Sequence, residues 1–169
     1  MPSPRTVSRT LDRIEAVARV TGSAGGAGEL RAAVIDMLRE AIGFDGYVWL
    51  LTDPVTTVGA APLAELPGVD PAELPGLFRA KYTSGVHRWT VLAQQPDPVA
   101  LLDGTARVDP AGASGTGPSA WEQLLAGHGV GAVASTVFAD SYGCWGFLDL
   151  WRDLARGPFD QSDAGLLAA

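Results

Sequence analysis

Two neighbouring stretches near the C-terminus decide the fold: residues 143–152, GCWGFLDLWR, and residues 158–167, PFDQSDAGLL. The first predicts a strand over Cys144–Trp151, with Trp145, Phe147, Asp149 and Trp151 on one face. A preceding apolar stretch, 132–139, is joined to it by a four-residue turn, 140–143, which predicts an antiparallel hairpin. In the second stretch Asp160 is placed as an N-cap with an acid three residues later, which predicts a helix over 164–169.

The rest of the chain alternates between helix and strand periodicity. This order of elements, with hairpins at both ends, predicts an α+β domain in which helices pack on a central antiparallel sheet. The stretch 94–118 is predicted to be a loop. The other predicted elements are a helix over 6–20, a glycine linker over 22–28, a helix over 29–42, strands over 47–51 and 55–61, a helix from Asp70 interrupted at Pro75, a weak strand near 89–93, and a helix opened by Ser119 and Glu122.

Composition restricts the class of protein. The chain has 169 residues, of which 47% are hydrophobic, so it can form one domain with a real core. Its formal net charge of −7 disfavours contact with nucleic-acid phosphates by this chain itself. One cysteine and two histidines supply neither an internal disulfide nor a zinc site. We therefore expect a soluble, cytoplasmic domain that spans no membrane and holds no metal.

The quoted motifs resemble a known family. The chain is similar to a GAF domain in three motifs: Gly43-Phe44-Asp45 before a strand, the GCWGFLDLWR strand, and the helix start Phe159-Asp160…Asp163…Leu166-Leu167. More narrowly, these motifs resemble the N-terminal sensor domain of actinobacterial LuxR-type transcription regulators. The resemblance implies a PAS/GAF superfold with five to six antiparallel strands, terminal helices on one face and a small-molecule pocket on the other. It implies an N-terminal helix and linker over 1–28, a sensor domain over 29–169 whose last helix is cut short, and a DNA-binding helix-turn-helix domain beyond this chain.

Asp149 is the most informative polar residue, because a carboxylate among aromatic side chains is costly unless it is paired. Its partner could be Arg88, Arg152, a backbone N–H or a ligand amine. The sequence His87-Arg88-Trp89 follows a short helix that carries Leu77, Phe78 and Tyr82 together. In the resembling family this region covers the pocket. The expected ligand-binding residues are Trp49, Phe78, Tyr82, His87, Arg88, Trp89 and Asp149.

The sequence contains no motif of a known catalytic site, so we expect a non-enzymatic sensor of an unspecified small molecule. Cys144 lies on an apolar strand with no neighbouring base in the sequence, and we interpret it as a core residue. The alternative is an interaction module without a ligand, its aromatic face filled by its own side chains. A haem or metal sensor, or a thiol enzyme, is a third possibility.

The helix over 6–20 carries Val7, Leu11, Ile14 and Ala18 on one face and precedes a glycine linker, so it is predicted to be a dimerisation element. Removal of residues 1–21 should therefore convert a homodimer into a monomer. Light scattering after size-exclusion chromatography of both chains measures this directly. An unchanged mass would remove the dimer from the hypothesis.

Overall fold

The computed structural model describes residues 26–85, 87–104 and 119–168. The predicted helix over 6–20, most of the linker over 22–28 and the glycine-rich stretch 112–117 lie outside these residues. In the part that is described, no helix combines the length and the apolar character needed to cross a bilayer.

Helices and strands are interspersed along the described part of the chain, with a β-hairpin near each end. A 3₁₀ turn, Pro71–Glu73, leads directly into the second helix. Capping boxes at Asp70, Ser119 and Asp160 begin three of the helical elements at the positions that the sequence predicted. The elements are α1 (Ala27–Ala41), β1 (Gly46–Thr52), β2 (Gly59–Glu65), α2 (Leu74–Thr83), α3 (Trp89–Leu92), β3 (Val99–Asp103), α4 (Ala120–Gly127), β4 (Val130–Asp140), β5 (Gly143–Asp153) and α5 (Gln161–Leu167).

The strands form one five-stranded sheet in the order β2-β1-β5-β4-β3, and all its pairs are antiparallel. The predicted α+β class and central antiparallel sheet are confirmed. The C-terminal hairpin β4–β5 supplies the middle of the sheet, and β5 pairs with β1 on its other side. Because β5 has a partner along both edges, its backbone hydrogen-bonding groups are paired on both sides.

Helices cover both faces of the sheet. The inner face, as we call it, is covered by α2, α3 and α4, and its core is built on strand residues such as Val48, Val133 and Phe147. The terminal face is covered by α1 and α5, with Ile35 and Leu166 packed on Trp49, Leu148 and Leu150. Burial of apolar side chains on both sides provides the main driving force for this three-layer arrangement.

A bulge in β5 changes the predicted face of Trp145. Phe138 pairs with Gly146 and Ala139 pairs with Cys144, so Trp145 is an extra residue without a partner on β4. The alternation therefore shifts by one residue. Cys144 joins the inner core, while Trp145 lines a groove on the terminal face and is 46% exposed. The prediction that Trp145 shares a face with Phe147 and Asp149 is wrong for this reason.

Four further sequence predictions are corrected. The returning strand of the first hairpin begins at Gly59 and not at residue 55, because Asp53 accepts hydrogen bonds from the backbone of Val55 and Thr56 and holds a wider turn. The weak strand near 89–93 is the short helix α3, and the third strand, β3, lies in the stretch 94–118 that was predicted to be a loop. Pro75 lies in the first turn of α2, where no amide donor is needed, and does not interrupt it.

Arg152 joins the end of β5 to both terminal helices. Its guanidinium donates to the carbonyl oxygens of Ile42, Gly43 and Pro158 at 2.6–2.8 Å. It also stacks over the Phe159 ring at 4.0 Å and pairs with Asp163 of α5 at 3.1 Å. One side chain thus satisfies carbonyls at the end of α1 and fixes the entrance to α5.

Replacement of Arg152 with Met should destabilise the domain by about 3 kcal/mol, because it leaves several part-buried carbonyls and Asp163 without their donor. Urea unfolding of both proteins measures the loss. Arg156→Met is the matched control: it removes another arginine–aspartate pair, with Asp45, but an exposed one. It should cost much less. Equal losses in the two variants would show that Arg152 has no special role.

Candidate functional site

A buried ion pair lies at the centre of the inner face. The Nζ atom of Lys81 is 3.3 Å from Asp149 Oδ2 and donates to Ser135 Oγ at 2.8 Å. The other carboxylate oxygen, Asp149 Oδ1, accepts the indole N–H of Trp89 at 2.8 Å. Lys81 is 1% exposed and Asp149 is 0% exposed. Both charges are thus removed from solvent and held by partners from four different elements.

Aromatic rings surround this pair. The Lys81 ammonium lies 5.4 Å from the centroid of Trp89 and 5.1 Å from that of Trp121, within the range of cation–π attraction. The Trp89 ring stacks on Phe147 at 5.0 Å with an interplanar angle of 8°. Tyr82 meets the edges of both rings. The polar groups therefore lie inside an aromatic cluster, where the low dielectric strengthens each electrostatic contact.

Local sequence and strand register together place these side chains. Ser135 and Asp149 are cross-strand partners on β4 and β5, so they project side by side from the inner face. Lys81 lies one helical turn after Leu77 on the buried side of α2, which directs its chain toward the sheet. Trp89 is the first residue of α3. The site exists only where these elements meet.

Burial shifts the titration of two basic groups here. The pKa of Lys81 lies below its usual value, because burial disfavours the ammonium more than Asp149 stabilises it. The pKa of His87 is also lowered, chiefly by burial and then by repulsion from Lys81, while Asp149 and Glu122 act in the opposite direction. The Nδ1 atom of His87 is buried without a hydrogen-bond partner among the described residues. His87 is thus a neutral polar group beside the ion pair near pH 7.

The structure brings together some of the residues expected to bind a ligand and separates others. Tyr82, Trp89 and Asp149 are in one cluster, and half-buried Phe78 packs at its edge. Trp49 lies on the terminal face, stacked on Phe138, because successive residues of β1 point to opposite faces. Its expected place in the same pocket is therefore wrong.

The candidate partners of Asp149 also needed correction. Arg88 donates to the carbonyl of Ser84. Arg152 lies at the strand end, bonded to the terminal helices. The partners are Lys81 and the indole of Trp89. Sequence reasoning missed Lys81, although one signal could have found it: it is the single lysine among twelve basic residues, and it follows Leu77 by one helical turn.

The inner face, where a small-molecule pocket was expected, is occupied by side chains. Trp89 and Trp121 fill the space between the sheet and the helices, and each is almost wholly buried. A surface pocket of about 380 Å³ that is largely open to solvent, here called the chamber, lies next to this cluster and is lined by Thr56–Gly59, Tyr82 and Thr90. The Tyr82 hydroxyl accepts from the Gly59 amide and donates to the Thr57 carbonyl, so its ring forms the wall between chamber and cluster.

A second space lies on the terminal face. This groove of about 480 Å³ runs between α1, α5 and the β4–β5 hairpin, and Leu38, Trp145 and Leu166 contribute to its mostly apolar lining. Its polar side chains are Thr136 and Asp140. It has no buried ion pair, so it offers a ligand less orientation than the inner face does.

A metal site and a reactive thiol are two further kinds of candidate site. Across the described residues, no three His, Cys, Asp or Glu side chains converge in a way that could hold a metal ion. Cys144 is buried in the inner core, with its Sγ atom 3.8 Å from the Gly146 carbonyl oxygen. It packs there as a small apolar residue.

The sheet order, with helices on both faces, gives the chain a GAF-like α+β fold. The N-acylhomoserine lactone dependent LuxR family transcription factor CepR2 from Burkholderia cenocepacia is similar to it with a TM-score of 0.60 and 17% identity, over 94% of this chain and 85% of that one. No protein-family profile matches the sequence, and no curated protein does.

Two light-absorbing proteins share the fold as well. The far-red absorbing dark state of a protein with bound biliverdin IXa has a TM-score of 0.55 at 11% identity, over 96% of this chain and 90% of that one. The chromophore-binding domain of the Stigmatella aurantiaca bacteriophytochrome has a TM-score of 0.58 at 15% identity, over 97% of this chain and 55% of that one. At these identities the likeness establishes the fold alone.

Lys81→Met should cost about 3–5 kcal/mol, because it leaves the Asp149 carboxylate buried without a counter-charge. The double variant Lys81→Met/Asp149→Asn should regain about 2 kcal/mol of that loss, since it removes the charge and keeps an acceptor for the Trp89 indole. Urea unfolding of the single and double variants tests this. If the double variant is no more stable than Lys81→Met, the pair is not electrostatically coupled.

Proposed function

We propose that this chain is the non-catalytic, small-molecule-sensing domain of a LuxR-family transcription regulator, and that the ligand binds on the inner face. The single observation that carries the proposal is the buried Lys81–Asp149 pair with its partners Ser135 and Trp89. A buried ion pair contributes little net stability compared with apolar residues of the same shape. A few oriented polar groups in an aromatic setting are what a ligand site requires.

Strand β5 provides a physical connection from this site to the terminal helices. Asp149 projects from its inner side, and three residues later Arg152 is bonded to the end of α1 and the start of α5. A ligand that binds better to one arrangement of β5 would shift the population of arrangements at both helices. An output domain joined to those helices would receive this change.

The proposed partners follow from the same hypothesis. The domain acts in the cytoplasm as a homodimer through the segment 6–20, and DNA is bound by a helix-turn-helix domain outside this chain. The net charge of −7 supports the absence of direct DNA contact. The fold likeness to a LuxR family transcription factor supports the regulatory role.

One observation favours a second candidate, an interaction module without a small molecule. Trp89 and Trp121 are 1% and 2% exposed and fill the inner face in this conformation. A domain of this kind would use the same fold and the same core, and its inner face would never open. The two candidates therefore differ in whether any small molecule stabilises the folded chain.

A thermal-shift screen against nucleotides, amino acids, fatty acids and aromatic metabolites distinguishes them. A ligand at a hundred times its dissociation constant should add about 2.7 kcal/mol of stability. The added stability should fall sharply in Asp149→Asn, which alters the inner face. It should persist in Trp145→Ala, which alters only the terminal groove. Absence of any shift would favour the interaction module, and loss in Trp145→Ala would place the ligand in the groove.

A further inference from the structure

Trp89 makes the contacts that a bound ligand would make. Its flat ring lies parallel to Phe147 at 5.0 Å and meets Tyr82 edge-on at 5.4 Å. Its ring N–H donates to the Asp149 carboxylate at 2.8 Å, and the Lys81 ammonium lies 5.4 Å from its centroid. The indole is therefore recognised in three ways, by stacking, by a charge-assisted hydrogen bond and by cation–π attraction.

The two tryptophans on the inner face differ in this respect. Trp121 is equally buried and also contacts Lys81, but its ring N–H has no hydrogen-bond partner among the described residues. It packs edge-on against Trp151. Trp121 thus behaves as core, whereas Trp89 occupies a site with a matched acceptor. Trp121 therefore serves as a control for Trp89 within the same cluster, because it is equally buried but has no acceptor for its ring N–H in the described part of the chain.

The element that carries Trp89 is a short one. Helix α3 has four residues, and its N-cap, Arg88, makes no side-chain capping bond. His87 just before it has φ +49°, which is the left-handed region. On its other side, Thr90 lines the chamber beyond Tyr82. A displacement of α3 would carry Trp89 away from Phe147 and leave a vacant space beside Tyr82, whose ring separates it from the chamber.

We propose that Trp89 is a built-in substitute for the ligand, and that the ligand is a flat heteroaromatic molecule with a ring N–H, of the indole class. It would stack on Phe147 and donate to Asp149 while α3 moves outward. This inference rests on the proposed sensing function and specifies its ligand chemistry. The indole of Trp89 competes with the free ligand for the same site. The apparent affinity of the chain for the ligand is therefore the intrinsic affinity multiplied by the fraction of chains in which Trp89 is displaced.

The test is titration calorimetry of the full chain with indole and with benzofuran, which has the same shape and no N–H. The wild type should bind indole more tightly than benzofuran. Trp89→Ala should bind indole at least about tenfold more tightly than the wild type, since the competitor is gone, and should keep the preference for the N–H. Trp121→Ala opens a cavity on the same face at a ring N–H that has no acceptor among the described residues, so any binding that this variant gains beyond the wild type should be equal for the two probes.

Trp89→Phe is the second variant, in case Trp89→Ala does not fold. It keeps an aromatic ring and loses the N–H, so the competitor is weakened and indole should bind more tightly than in the wild type. The inference is overturned if the wild type binds neither probe, even if Trp89→Ala binds indole, because Trp89 is then a permanent core residue. It is also overturned if benzofuran binds as well as indole to the wild type and to the Trp89 variants.

The failure of this inference can be separated from failure of the sensing function. If the wild type does not bind indole, but another metabolite stabilises it and this stabilisation is lost in Asp149→Asn, the proposed ligand class is wrong and the sensing function stands. If no small molecule stabilises the wild type, both are wrong.

Discussion

The charges of Lys81 and Asp149, buried against each other on the inner face, are the constraint on which the rest of the structure depends. Taking both groups out of water costs several kcal/mol each, and their attraction offsets this only if their remaining hydrogen-bonding capacity is used. Ser135 accepts a bond from Lys81 and Trp89 donates one to Asp149 Oδ1, while Asp149 Oδ2 has the ion-pair contact with Lys81 and no further hydrogen bond among the described residues. Elements α2, α3, β4 and β5 must therefore meet in one arrangement, whereas apolar contacts alone would tolerate several.

The central position of β5 lets one strand serve both layers of helices. Its inner side carries Asp149 and Phe147, and its terminal side carries Leu148 and Leu150. Arg152 then fixes the ends of α1 and α5 to the end of this strand. A change in the packing around Asp149 can therefore reach both terminal helices through three residues of β5 and the hydrogen bonds and ion pair of Arg152. In the sensing domain proposed above, β5 would connect the ligand site to the output.

Features with strong local signals could be predicted from the sequence. Each capping box at Asp70, Ser119 and Asp160 uses side chains within three residues of one another, and these N-caps were predicted correctly, although the last helix begins at Gln161 and not at residue 164. Elements that depend on distant partners were not. The five residues of β3 become a strand by pairing with β4, and α3 is a helix although its sequence, Trp-Thr-Val-Leu, has strand-like composition. The bulge at Trp145 could not be predicted from the sequence either, because a bulge is defined by the pairing of β5 with β4.

The residues of the candidate site likewise fall into those that the sequence predicted and those that only the structure revealed. The sequence by itself determined that the chain is an α+β domain with a C-terminal hairpin, and that Asp149 needs a partner on an aromatic face, whereas the position of that hairpin in the middle of the sheet came from the strand pairing. Only the tertiary structure decided that this partner is Lys81, that Trp89 fills the space beside it, and that Trp49 lies on the other side of the sheet. The physical reason is that periodicity and capping act within a few residues of the chain. The neutralisation of a buried charge depends on which side chains from remote elements arrive at the same point.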